Sequence, residues 1–102
     1  MKECAAERNL LVAKKGSASR ADLTIKVGLP YIVSGADVSF EVDGEAAACE
    51  VEIIGLDESF NEVTYGADLL QALQPAADIE PILKRLSKGY DFYFKTGEPY
   101  FE

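Results

Sequence analysis

Histidine and tryptophan are absent from this chain, and methionine occurs once. Without imidazole, every mechanism built on a histidine base is excluded. Cysteine is scarce. Cys4 and Cys49 stand far apart without Cys-x-x-Cys spacing. Zinc signatures draw on about four Cys or His ligands, so no metal site is expected. Cys49 lies between apolar positions and reads as a small buried hydrophobe. A disulfide would require an oxidising compartment, for which the sequence carries no address. No apolar run approaches the ~18 residues of a membrane span. The opening residues Met1 to Arg8 hold no apolar core of signal-peptide length, so a soluble, cytoplasmic protein is expected. Glycine is present in ordinary number, at eight residues. Gly16, Gly28 and Gly35 fit neither the nucleotide nor the dinucleotide phosphate-binding pattern, so no cofactor is implied.

The most informative absence is of positive charge. No Lys or Arg lies between Lys26 and Lys84, a window that holds twelve acids. The first 26 residues carry six bases against three acids, and the last 19 carry four against three. The net charge is −8. Phosphate contact depends on clustered bases, so nucleic acid is not an expected partner. The same charge repels an anionic membrane surface. Its natural complement is a protein with a basic surface. The plainer alternative is that the acids only keep a small domain soluble.

What is present describes one domain over residues 1–102, with enough apolar content for a core. Three runs alternate apolar with polar residues: Asp22–Val27, Asp37–Asp43 and Cys49–Ile53. Period two places Leu23, Ile25 and Val27 on one face, as it does Val38, Phe40 and Val42, and then Cys49, Val51 and Ile53. Asn9 to Ala13 reads as a first strand, whose Leu10-Leu11 pair leaves its facing ambiguous. Asp43-Gly44 is a hairpin signal that would pair Phe40 with Ala47 and Val38 with Cys49. Gly28 to Ala36 and Leu56 to Tyr65 read as connections. Beyond Gly66, Leu69, Leu70, Leu73, Ala76 and Ala77 recur at helical spacing, continued by Leu83 and Leu86. Pro75 and Pro81 interrupt that stripe. They predict a kink near Gln71 to Pro75, or two helices broken near Asp78 to Pro81. Six of the ten aromatics fall after Lys88. Asp91 to Lys95 reads as a last strand, with Phe92 and Phe94 completing the core and Tyr93 facing out.

The predicted fold is therefore α+β. A four-stranded antiparallel meander carries one kinked helix, or two short ones, on one face, and a short aromatic strand follows.

The candidate sites are carboxylates and aromatics. On the predicted hairpin, Asp37 faces Glu50, while Glu41 and Glu52 share that wet face. Like charges across strands cost on the order of a few tenths of a kcal/mol, which a cation could relieve. Calcium loops, however, place their ligands on a tight turn rather than a flat face. Carboxylate catalysis needs two acids in a cleft, which a single sheet does not readily provide. Asp37, Glu41, Glu50 and Glu52 are thus candidates for partner binding, or else a plain solvated face. Tyr93 and Tyr100 are candidate anchors for a partner or for a second copy of this chain.

Four blocks carry a resemblance: Ala6-Glu7-Arg8-Asn9-Leu10, Val27-Gly28-Leu29-Pro30, Cys49 to Leu56, and Gly66-Ala67-Asp68-Leu69-Leu70-Gln71-Ala72-Leu73-Gln74-Pro75-Ala76. In that order they resemble a family of small bacterial domains of unknown function. Its pattern reads A-E-R-x-L, I-G-x-P, C-x-x-x-I-x-G-L and G-x-D-x-x-Q-A-L-x-x-A. The likeness extends to about Leu86. This chain departs at Pro75 and in its aromatic tail. The resemblance implies the fold and a bacterial origin but no catalytic residue. Physically, Gly66 permits the turn into the helix, Asp68 meets its first amides, and Ala72 and Ala76 allow close packing. Gln71 is unusual there, and bonds either a strand-edge backbone group or a ligand. The leading expectation is a non-enzymatic interaction module: an adaptor, an inhibitor or an immunity-type protein meeting a basic partner. The alternative is a small-ligand site between helix and sheet near Asp68 and Gln71.

Overall fold

The computed structural model describes residues 3–34 and 45–101. Within them lie β1 (Cys4–Lys14), β2 (Ala21–Gly28), β3 (Tyr31–Ser34), β4 (Glu45–Ile54), β5 (Phe60–Gly66), α1 (Leu69–Ala77), α2 (Glu80–Leu86) and β6 (Tyr90–Tyr93). The architecture is α+β, with every strand pair antiparallel.

Among the described residues the strand count is six, rather than the expected four meander strands and a closing one. β5 occupies one edge of β4, from Ala47↔Gly66 to Ile53↔Phe60. The other edge is shared by β2, up to Val27↔Val51, and β3, from Tyr31↔Ala48. β2 and β3 therefore form one line of chain, interrupted at Leu29-Pro30. Pro30 has no amide to give a ladder, which accounts for the break. With β3 continuing β2, the strands run β5-β4-β2-β1-β6 across the sheet.

Two stretches read as connections hold strands. Tyr31–Ser34 lies inside Gly28 to Ala36, and most of β5 lies inside Leu56 to Tyr65. β5 escapes the period-two reading because its helix-side positions are not all apolar. Glu62, opposite Val51, points to the helix side and reaches Arg85 of α2 at 3.1 Å. An edge strand tolerates this because its outer rim is wet. The run Asp37–Asp43 and the Asp43-Gly44 turn lie outside the described residues. The partners expected for β4 are replaced: Ala47 pairs with Ile32 and Gly66, and Cys49 with Thr64.

The core joins Leu10, Val12, Leu23, Ile25, Val51 and Ile53 of the sheet to Ala72, Ala76, Ile82 and Leu83 of the helices. The alternation of β1, β2 and β4 sets this inner face. Of the two helical outcomes, the structure adopts two short helices, parted at Asp78 and Ile79. Pro81 sits in the first turn of α2, where the missing donor costs nothing. Pro75 stands inside α1.

In the tail, Phe92 is in the core but Phe94 is 43% exposed, contrary to the expected pairing of the two. β6 ends at Tyr93, and a turn begins at Phe94, whose carbonyl accepts from Gly97 N at 2.8 Å. Strand parity therefore stops before Phe94. The chain then folds back, with Tyr100 N donating to Phe92 O at 2.9 Å.

Candidate functional site: the helix-free sheet face

The helices cover one face of the sheet, and the other carries the alternate residues of each strand. Ala47, Cys49, Val51 and Ile53 face the helices, so Ala48, Glu50 and Glu52 face away. Directly paired residues share a face. Tyr31 and Tyr65 both pair with Ala48, one on each side. A Tyr–Ala–Tyr row therefore crosses three strands, with the tyrosine Cα atoms about 10 Å apart by strand spacing. The tyrosines are 42% and 45% exposed, while the Ala48 between them is 1% exposed. Glu50 follows along β4, beside Val63 of β5.

The electrostatics tie these groups together. The Tyr31 hydroxyl is held above its usual pKa, first by partial burial and then by the nearby charges of Glu50 and Tyr65. Cys49, on the other side of β4, is fully buried, and its thiol is pushed up by burial and then by Glu50.

The sequence-predicted residues distribute unevenly. Asp37 and Glu41 lie outside the described residues. Glu50 and Glu52 share the helix-free face. The next row, however, reads Asn61, Glu52, Lys26 and Glu7, so a base stands directly opposite Glu52. Tyr93 is on the same face at the β6 side, opposite Leu11, with the Arg20 guanidinium stacked 3.7 Å above its ring. Tyr100 is elsewhere. Its hydroxyl accepts from Arg8 Nη1 at 2.7 Å and donates to Glu80 Oε1, and its ring packs on Phe94 and Phe101.

Other acids of the base-free window are dispersed and paired. Asp57 meets Lys14 at 2.8 Å, Glu62 meets Arg85 at 3.1 Å, and Glu80 meets Arg8 at 3.5 Å. Pairing across the fold brings these bases in from both ends of the sequence.

Asp68 and Gln71 serve the helix start. Asp68 is the N-cap of α1, and its Oδ1 accepts from Gln71 N at 2.8 Å. Gln71 Oε1 accepts from Ala67 N at 2.6 Å, so each satisfies an amide that would otherwise lack a partner. Ala67 directly follows β5, and the Gln71 bond thus goes to backbone at the strand's end. The cavity between helix and sheet lies further along α1, at Leu73 and Ala77.

Sequence reasoning missed Tyr31, Val63 and Tyr65. The available signal was the β-favouring run Val63-Thr64-Tyr65, whose alternation is blurred by Glu62. Among the described residues no cluster of three or more Cys, Asp or Glu is arranged to hold a metal ion, and no helix is long and apolar enough to cross a membrane. The fold and face together define a one-sided α+β sheet domain with aromatic and acidic residues on its helix-free face. Compared with protein-family models, curated proteins and solved structures, the chain matches none.

Proposed function

We propose that this chain is a non-enzymatic interaction module, an adaptor, inhibitor or immunity-type protein, whose helix-free sheet face receives a basic protein partner. The observation that carries the reading is the Tyr31–Ala48–Tyr65 row with Glu50 beside it. Tyr31 and Tyr65 stand half-exposed on either side of the buried Ala48, and their exposed ring surfaces offer contact to one Lys or Arg side chain. Cation–π contact there is worth roughly 0.5–1 kcal/mol, and more once desolvated. Glu50 supplies the charge, and the net −8 of the chain steers a basic partner toward it. Tyrosine suits such a contact because it offers a large area at low entropic cost.

A partner captured from the native host, titrated against the purified chain across ionic strength, tests this. Affinity should weaken with added salt. Tyr31→Ala and Tyr65→Ala should each cost about 1–2 kcal/mol of binding, or roughly five- to thirtyfold in Kd. Glu62→Gln, on the helix side, should leave Kd unchanged. A salt-independent affinity, or equal losses for Glu62→Gln and Tyr31→Ala, would refute the reading.

A further inference from the structure

We infer that the outer edge of β5, with the flank of α1 above it, is the seam of a two-fold homodimer in which β5 pairs antiparallel with β5 of a second copy of this chain. The inference goes beyond the proposed function and does not rest on it, because the helix-free face stays open when two sheets join edge to edge.

β5 pairs with β4 on one side, and among the described residues no strand pairs with its other side. An edge of seven residues presents a row of unpaired backbone donors and acceptors, a template for a further strand. Such edges are ordinarily blunted by Lys, Pro or an inward charge. β5 has no Lys and no Pro, and its one charge, Glu62, is neutralised by Arg85 at 3.1 Å.

Charge selects the occupant. Residues 63–77 run from the middle of β5 to the end of α1 and hold one charged side chain, Asp68, in a chain that is 27% charged. Asp68 is engaged as the N-cap of α1. Leu73 and Ala77 line the cavity on the β2 side of α1, so the opposite flank, with exposed Gln71 and Pro75, turns to the outer edge of β5. A basic partner finds no charge to hold there. A chain of net charge −8 meets its own copy best where neither copy bears a charge.

The strand is complementary to itself. A two-fold axis through Val63 sets Val63 against Val63, Asn61 against Tyr65, Glu62 against Thr64 and Phe60 against Gly66 of the other copy. No like charges face each other in this register, whereas an axis through Glu62 would set the two Glu62 side chains together. Phe60 covers the bare backbone of the opposing Gly66. A cavity of about 360 Å³ opens at the Phe60 end, between the strand and Arg85 and Leu86 of α2, and it receives the turn that follows Gly66 in the other copy. α1 lies over β4 and β5. The two α1 helices therefore come side by side about 10 Å apart by strand spacing, the distance of packed helices. Glu50, in line with Val63, stands three strand spacings from its copy. That is about 14 Å, beyond the ~8 Å screening length of physiological salt.

Sedimentation equilibrium should show a dimer that tightens as salt is raised, since screening weakens the residual repulsion of two −8 chains. Binding of a basic partner has the opposite salt dependence, so the two readings fail separately. Cysteine linking tests the register, in a Cys4→Ser background because Cys4 is exposed. Val63→Cys places two thiols on Cα atoms about 5 Å apart and should link the copies under mild oxidation. Asn61→Cys is at a more exposed position but about 14 Å from its copy, and should link at least about tenfold more slowly. Both variants, when reduced, should melt as their parent does; where one melts lower, sedimentation of the unaltered chain decides. Equal linking rates, or faster linking through Asn61→Cys, overturn the inference. So does a chain that stays monomeric up to about 1 mM, or a dimer that loosens with added salt.

Discussion

Gly66→Ala is the sharpest perturbation of the junction between β5 and α1. A Cβ added at Gly66 would lie 2.5 Å from Ala72 N, 2.6 Å from the Gln71 carbonyl carbon and 2.8 Å from Gln71 Cβ. The first two are backbone atoms of the first turn of α1 and cannot swing aside as a side-chain tip could. Real Cβ contacts essentially never fall below 3.0 Å, so α1 must back off by roughly half an ångström. Ala72, fully buried against the sheet, loses its contacts in that shift, and the Asp68–Gln71 cap is strained with it. Overpacking of this kind costs about 1–3 kcal/mol. For a domain of this size that corresponds to a drop in Tm of roughly 4–20 °C. Gly89→Ala is the control: a Cβ there meets nothing within 4 Å, and its φ is not left-handed. That variant should be neutral or stabilised by about 0.4–1 kcal/mol through the unfolded chain. Calorimetry of both variants decides the matter. If they melt together, the close approach of α1 to β5 is not as described.

Three further outcomes follow. Asp68→Ala should cost about 0.5–2 kcal/mol in chemical denaturation, while Asp68→Asn, which keeps a capping oxygen, should cost much less; equal losses would contradict the cap. In a thiol-reagent assay, exposed Cys4 should react at once, while Cys49, buried and with its thiol pushed up, should react only as the chain unfolds. Two rapidly reacting thiols in the folded chain would contradict this. Tyr100 is pushed up by burial and by its bond to Glu80, Tyr31 by burial and Glu50, and Lys14 by its bond to Asp57. The folded state therefore holds these protons more tightly than the unfolded state. Stability should be flat through neutral pH, with this contribution lost as pH rises past about 10. Denaturation midpoints that stay constant or rise over that alkaline range would contradict the assignment.

Much of the scaffold was legible because β2 and the Cys49–Ile53 part of β4 alternate cleanly and the Leu69 to Leu86 stripe is helical. β3 was hidden by Pro30, which looks like a loop but only interrupts one line of chain. β5 was hidden by Glu62, whose partner Arg85 lies 23 residues away and which no local pattern reveals. The same non-local pairing limits what a charge run can say. A window without bases in sequence is not a face without bases in space. Lys26, at its border, pairs across from Glu52, and Lys14 and Arg8 reach Asp57 and Glu80. Glu50 and Glu52 could be placed on one face from period two alone. Tyr31 and Tyr65 could not, since each fell in a stretch read as a connection, and only the register at Ala48 brings them together.

The central claim is that the helix-free face, through its tyrosine row, is the recognition surface for a basic partner. Amide chemical-shift mapping of the labelled chain with a partner purified from the native host tests it most directly. Perturbations should gather on Tyr31, Ala48, Glu50 and Tyr65. A footprint confined to the outer surfaces of α1 and α2 or to the aromatic tail, with those four residues unmoved, would contradict it.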